Sequence, residues 1–474
     1  MTVLVGIDVG TSSVKGVAID EGGSLLAQAE SAYGVSRPAA GWSEQDPALW
    51  WRAAEEVLGR LPAGAPTAIG VTGQMHGLVL LDGRRRPLRP AILWNDQRTA
   101  AECDWIEERV GGERLIELAG NRALTGFTAP KLLWVRRHEP ELWQQAAHVM
   151  LPKDYVRMKL TGTLACDVSD ASGTLLLDVG RRAWSEQLLE LLEIPAQWLP
   201  PALESAQVAG QTRGGAVVAA GAGDQAAGAL GVGVTRPATL SVVLGTSGVV
   251  FAVLPRYAAD PRGTVHTFCH AVPGSWHAMG VALTAGGALA WLQEKVASGA
   301  PADRLMERAA EWPPGCEALR FAPYLAGERT PHADPDVRGA FVGLDLRHDL
   351  GAMTRAVLEG VAYALRDSLE LLRELDIEPR AARLSGGGGR GRLWPQIVAS
   401  VLGLPLEIPA TESAAAFGAA LLGGVSGGVF ADVGQACRDC VRTGAVVEPV
   451  PAWKAAYDDG YESFRRLYPA LRTL

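Results

Sequence analysis

The chain has 474 residues, 48% of them hydrophobic and 20% charged, with a net charge of −8. That length exceeds one core and implies two or three globular domains. Acidic and basic residues are mixed along the chain, so no basic face marks a nucleic-acid partner, and no apolar run is long enough to span a membrane.

The first residues lack a charged leader, and Asp8 interrupts their apolar run, so they do not read as a secretion signal. Cys103, Cys166, Cys269, Cys316, Cys437 and Cys440 are scattered and read as reduced thiols of a cytoplasmic protein. Residues 2–7 form an apolar strand that ends in Gly10-Thr11-Ser12, and a β-rich run, 14–19, follows. A helix begins at Pro47 with Asp46 as its N-cap; Trp50, Ala54, Val57 and Leu61 recur at helical spacing. Short strands over 68–72 and 78–81 flank the loop Gly73-Gln74-Met75-His76-Gly77. Residues 99–145 carry helical signals broken at Pro130 and Pro140.

A strand over 217–220 leads into a glycine-rich turn around Asp224. A domain boundary is expected at Arg236-Pro237, giving an N-terminal domain over 1–236 and a C-terminal one over 237–474. The second domain opens like the first: an apolar run, then Gly245-Thr246-Ser247, then a β-rich run over 249–254. Leu358, Val361, Leu365, Leu369 and Leu372 predict a helix over 354–375. A strand then ends in a glycine loop at Gly386, a helix carries Trp394, Ile397, Val398 and Val401, and a last amphipathic helix runs from Trp453 to Leu467.

The repeated turn is the most informative feature. Backbone amides and hydroxyls at a Gly-Thr-Ser turn can hold phosphate oxygens. Two such turns in two similar domains predict a nucleotide clamped in a cleft between them. Asp8, at a strand end beside the first turn, suits Mg²⁺ bound directly or through water. The alternative is a turn aspartate bonding its own backbone, and the second copy of the turn favours the metal. Asp224 lies in Gly221-Ala222-Gly223-Asp224, where glycines let backbone approach a ligand. It reads equally as a base for an acceptor hydroxyl or as a helix N-cap.

Other patterns compete. Residues 386–391 satisfy the G-x-G-x-x-G spacing, and Glu407 lies near the acidic position of a dinucleotide fold, so an NAD-dependent dehydrogenase is the rival reading. With 56 glycines in the chain, the spacing is also expected by chance. Cys437-x-x-Cys440 lacks a second pair for zinc, and His266 and His270 lack the Glu of a zinc helix. Gln74, Met75 and His76, with Trp94, Asn95 and Asp96, supply polar groups beside an aromatic face, as a sugar pocket requires.

Taken in order, Gly6-Ile7-Asp8-Val9-Gly10-Thr11-Ser12, Gly73-Gln74-Met75-His76-Gly77, Trp94-Asn95-Asp96, Gly126-Phe127-Thr128-Ala129-Pro130-Lys131, Gly223-Asp224, Gly245-Thr246-Ser247, Gly327-Glu328-Arg329-Thr330-Pro331 and Gly386-Gly387-Gly388 resemble the FGGY family of carbohydrate kinases. The resemblance runs from residue 6 to about 430. It implies an α/β fold of two ribonuclease-H-like domains, as in actin and hexokinase, with a cleft between them. It implies ATP and Mg²⁺, a cytoplasmic homodimer, and a small-molecule sugar as acceptor. The Gly-Gln-Met-His-Gly and Trp-Asn-Asp motifs point within the family to phosphorylation of D-xylulose at its C5 hydroxyl, ahead of ribulose, xylitol, glycerol or gluconate. Asp224 would be the base, Met75 and His76 would contact sugar, and Asp8 would organise Mg²⁺. Thr11, Ser12, Gly245, Thr246 and Ser247 would line the phosphate path, with Gly387 and Gly388 beside the adenosine. Gln225 stands where the family often has Asn, and Gly389 where it often has Ala.

Overall fold

A computed structural model describes residues 2–61, 66–411 and 413–473. The first half builds a seven-stranded sheet. Its strands are β1 (Leu4–Val9), β2 (Ser13–Ile19), β3 (Leu25–Ala32), β4 (Ala68–Gly73), β5 (Val208–Gln211), β6 (Val217–Ala219) and the short β7 (Ala222–Gly223). The spatial order is β5-β6-β4-β1-β2-β3, with β7 also beside β4. β1, β2 and β3 form antiparallel hairpins, whereas β4 runs parallel to β1, and β6 and β7 parallel to β4.

The second half repeats the plan. Its strands are β8 (Thr239–Leu244), β9 (Gly248–Leu254), β10 (His266–Cys269), β11 (Trp276–Ala282), β12 (Ala381–Ser385), β13 (Leu406–Pro409) and β14 (Thr443–Val447), in the order β10-β11-β9-β8-β12-β13-β14. Again the first two strands form a hairpin, and the next strand beside the first, β12, is parallel to it. The two Gly-Thr-Ser turns are the β1–β2 and β8–β9 hairpin tips. Each is closed by a glycine amide donating across the turn, Gly10 to Ser13 O at 3.0 Å and Gly245 to Ser247 O at 3.1 Å.

Helices cover the sheets: α1 (Pro47–Arg60), α2 (Asp224–Gly231), α3 (Leu350–Arg373), α4 (Leu393–Leu402), α5 (Ala414–Ser426) and α6 (Lys454–Arg465). Asp46 caps α1 by accepting from the Ala48 amide. Asp349 caps α3 by accepting from Ala352, so that helix starts four residues before its apolar repeat predicts. Helix α5 belongs to the second half of the chain yet packs on the first sheet. A Cβ on Gly6 or Gly70 of that sheet would collide with the carbonyl oxygens of Ala416 or Ala419 on α5. The same holds where α5 crosses α2: a Cβ on Gly231 would strike the Ala414 carbonyl, and one on Gly418 the Ala227 carbonyl. Four glycines thus let backbone touch backbone between the two halves. Among the described residues no helix is long and apolar enough to cross a membrane.

Candidate active site

The two acids singled out in the sequence leave the same edge of the first sheet. Asp8 on β1 pairs in register with Thr72 on β4, and Thr72 with Ala222 on β7. Asp224 comes two residues later, as the first residue of α2. Only β4 separates the strands that carry them, about 10 Å at two strand spacings. Burial raises the Asp8 carboxyl to about 6, with the charge of Lys15 opposing it. Lys15 sits directly across the β1–β2 hairpin from Asp8. Burial, and then the Asp8 charge, push Asp224 up to about 7, against hydrogen bonding from Gln225. Gly223 occupies the N-cap position of α2, and no side chain caps the helix. The N-cap alternative for Asp224 is therefore not what the fold uses.

Around the first turn a polar network holds the loop still. Trp94 Nε1 donates to Thr11 Oγ1 at 3.0 Å, and Thr11 Oγ1 donates to Gln74 Oε1 at 3.3 Å. Gln74 Nε2 donates to Gln45 Oε1 at 3.1 Å, and Gln45 Nε2 donates to the Thr11 carbonyl at 2.7 Å. Gln74 and Trp94 therefore face the Gly10–Ser12 turn through their polar atoms. Ser12 and Thr246, at the two hairpin tips, stay exposed. The glycine loop after β12 abuts the second turn: a Cβ on Gly386 would lie 2.7 Å from the Leu244 carbonyl, and Gly388 packs against the Leu244 side chain. A cavity of about 730 Å³ opens between the two halves. Lys15, Gln28 and Glu30 line it from the first half, and Ser385, Gly386, Gly387 and Arg390 from the second.

Of the residues expected at the sugar, Met75 lies next to the strand that leads into Asp224. Met75 packs on the backbone of Gly223, where a Cβ would come within 2.8 Å of its Sδ. His76 holds a left-handed backbone, φ 68°, uncommon outside glycine and frequent at strained functional positions. Its Nδ1 lies 2.7 Å from the Gly173 carbonyl. Burial pushes its pKa down to about 3, so the ring is neutral. A neutral ring with Nδ1–H on that carbonyl leaves Nε2 as an acceptor. Lys131 fixes the loop from behind, donating to the His76 carbonyl at 2.9 Å and the Gly126 carbonyl at 2.6 Å. Asn95 Oδ1 is buried without a hydrogen-bond partner among the described residues. Asp96, in contrast, has its carboxylate taken by the Ser43 amide at 2.6 Å and by the Arg98 guanidinium, which lies 3.6 Å from the centroid of the Trp42 ring. It steadies the pocket wall and presents no free oxygen.

Next to the strand before Asp224 lies a charged cluster from segments 151–155 and 167–172, to which the sequence by itself assigns no role. Lys153 Nζ is 2.5 Å from Asp154, 2.8 Å from Asp167 and 3.3 Å from Asp170, and Arg157 pairs with Asp154 at 2.8 Å. Ser169 Oγ donates to Asp167 and accepts from the Gly223 amide at 3.1 Å, which ties this cluster to the strand that leads into Asp224. Lys15 and Arg329 were also missed. The strand register across from Asp8 points to the first; the second lies in the Gly327–Pro331 motif, which by itself gives it no role.

The competing patterns find other partners. Glu407 binds Arg383 at 2.8 Å, within the sheet, as a cross-strand pair rather than at a ribose position. Cys437 and Cys440 are buried, their thiols facing the carbonyls of Leu230 and Glu21. His266 and His270 pack among Phe127, Phe251 and Phe268.

Residues 3–231 match the N-terminal domain of the FGGY family of carbohydrate kinases, and residues 240–427 match its C-terminal domain. The chain belongs to that family. It is 41% identical to the xylulose kinase of Escherichia coli K12 over 99% of both chains. The crystal structure of xylulose kinase from Rhodospirillum rubrum superposes with a TM-score of 0.92 at 33% identity, covering 99% of each chain. A gluconate kinase from Lactobacillus acidophilus superposes with a TM-score of 0.94 at 25% identity, covering 99% of this chain and 98% of its own. The two-domain α/β architecture of FGGY kinases is therefore the fold of this chain, and ATP is the phosphoryl donor that its family uses.

Proposed function

We propose that this FGGY kinase transfers the γ-phosphoryl group of ATP to the C5 hydroxyl of D-xylulose, giving D-xylulose 5-phosphate. The near-full-length similarity to xylulose kinases supports the substrate. The observation that carries the chemistry is the pair Asp8 and Asp224 at one sheet edge, with Asp224 poised at about 7. A base titrating near neutrality is matched to taking a hydroxyl proton at that pH.

In this reading Asp224 takes the proton from the C5 oxygen as that oxygen attacks the γ-phosphorus and ADP leaves. Phosphoryl transfer needs positioning and charge neutralisation more than covalent help. The Thr11–Ser12 and Gly245–Ser247 turns grip the phosphates, and the adenosine lies against Gly387 and Gly388 in the interdomain cavity. Met75, His76, Asn95 and Gln225 face the sugar. Asp8 fits a hard divalent cation: its buried Oδ1 lacks a partner, and Mg²⁺ takes one or two carboxylates together with phosphate oxygens and water. Mg²⁺ would neutralise charge on the phosphates. The same reading expects a cytoplasmic homodimer.

An ADP-release assay with D-xylulose, D-ribulose, xylitol, glycerol and gluconate tests the assignment. D-Xylulose is expected to give the highest kcat/KM. A higher value with any other acceptor replaces the substrate.

A further inference from the structure

Arg329 comes from the second half of the chain, yet its side chain reaches the sugar-side loops of the first. A Cβ on Gly126 would lie 3.9 Å from its Nη2, and its charge acts on both His76 and His266. The backbone that carries it is stapled on both sides. Glu328 Oε1 accepts from the Arg329 amide at 2.7 Å and from the Leu283 amide at 2.8 Å. Thr330 donates its amide to the Val281 carbonyl at 3.0 Å and accepts from the Val281 amide at 3.0 Å. Glu328 Oε1 thus faces backbone, while its Oε2 is buried with no hydrogen-bond partner among the described residues. Among the described residues, the Arg329 guanidinium makes no hydrogen bond and no ion pair. Burial holds its pKa below the ordinary value, with Glu328 opposing.

Arg329 is only partly buried, and a guanidinium whose five donors no described residue takes up is open to a ligand's acceptor oxygens. The chemistry of the acceptor says which group that is. A 2-ketopentose closes its five-membered ring through the C5 oxygen, so only the open-chain form offers a free C5 hydroxyl. That form carries a C2 carbonyl, an acceptor without a donor of its own, at the end opposite C5. With C5 at Asp224 and Met75 beside Gly223, the guanidinium, next to Gly126 and near enough for its charge to act on His76, is placed to meet the other end of the sugar. We propose that Arg329 grips the C2 carbonyl and C1 hydroxyl oxygens of the open-chain ketose with its planar fork, and so sets preference for a ketose over the corresponding alditol. This rests on the D-xylulose reading above.

The test compares wild type, Arg329→Gln and Arg329→Lys with D-xylulose and xylitol, which differ only at C2. The ratio of kcat/KM for D-xylulose to that for xylitol is expected to fall about 10- to 100-fold in Arg329→Gln. Arg329→Lys keeps the charge without the fork and is expected to lower the ratio by a smaller factor. The KM for ATP stays within about twofold of wild type. If xylitol turnover is below detection, sugar dissociation constants from calorimetry give the same ratio. A purely structural role would lower both sugars together, so an unchanged ratio in whichever variant folds overturns the proposal. Wild-type enzyme that ignores D-xylulose would instead overturn the substrate assignment, before any variant is compared.

Discussion

Asp8 and Asp224 lie at the ends of β1 and β7 with only β4 between them, and the negative charge of Asp8 helps raise the Asp224 carboxyl to about 7. Burial is the larger cause and the neighbouring charge the second. The candidate base and the candidate metal ligand are therefore one electrostatic unit, titrating together.

The pH dependence follows from that coupling. Asp224 must be ionised to take a proton, so kcat/KM is expected to rise with pH and level off above about 7. Asp8→Asn removes the like charge, and the acid limb should move to lower pH even as the maximal rate falls. A pH–rate profile of both proteins checks this; an unmoved limb in Asp8→Asn would separate the two carboxylates.

Loss of the base itself should be large in rate and favourable for stability. Asp224→Asn is expected to lower kcat by about 10²–10⁴, the size of a general-base contribution. A carboxyl whose folded pKa is raised destabilises the fold most above that pKa and not at all below its unfolded value. The variant should accordingly melt at a higher temperature than wild type at pH 8, with the gap closing toward pH 4. A lower Tm at pH 8 would contradict the desolvated site.

His76 and Gln74 are neighbours with different partners, and their variants should differ in kind. His76→Ala is expected to raise the sugar KM about tenfold or more while the KM for ATP moves less than twofold. Gln74 bonds Thr11, Gly10 and Gln45, so Gln74→Ala should weaken ATP as well as sugar. Initial-rate kinetics with each substrate varied in turn distinguish the two patterns.

Where α5 crosses the first sheet, a single methyl group should be expensive. Gly70→Ala places a Cβ on the Ala419 carbonyl, with backbone on both sides and no flexible side chain to give way. Overpacking of this kind costs about 1–3 kcal/mol or more. Urea unfolding should show it, while Gly59→Ala, in open space on α1, should be neutral or stabilising.

Acid should unfold the protein through its buried histidines. Burial holds His270 down to about 4 and His266 and His277 well below the ordinary value. A histidine with a depressed folded pKa contributes no penalty above the unfolded value near 6.5, and stability is lost as pH falls from there toward the folded value. For His270 the loss is roughly 3 kcal/mol across that window. His277 stacks on Phe251 at 4.2 Å, so His277→Phe should flatten the decline between pH 6.5 and 4. An equally steep decline in that variant would assign the acid sensitivity elsewhere.

Local pattern was enough for the twin hairpins, the helix capped by Asp46 and the long helix ending at Arg373, because each is set by neighbours a few residues apart. Alternation, caps and the repeated Gly-Thr-Ser turn also pointed to Asp8 and Asp224. Other features needed the folded chain. Asp96 looked like a sugar ligand until Ser43 and Arg98 were seen to occupy it, and Asp224 looked equally like a cap until Gly223 took that position. Nothing near Arg329 in sequence announces that its guanidinium sits by Gly126, some two hundred residues earlier. The return of α5 onto the first sheet was equally silent, since Gly6, Gly70, Gly231 and Gly418 acquire meaning only when two backbones meet. Hydrogen-bond and hydrophobic periodicity act over a turn or a strand, so the sequence by itself determined the elements and the type of chemistry. Which polar atoms are already satisfied depends on contacts between segments far apart in the chain, and only the tertiary structure decided that.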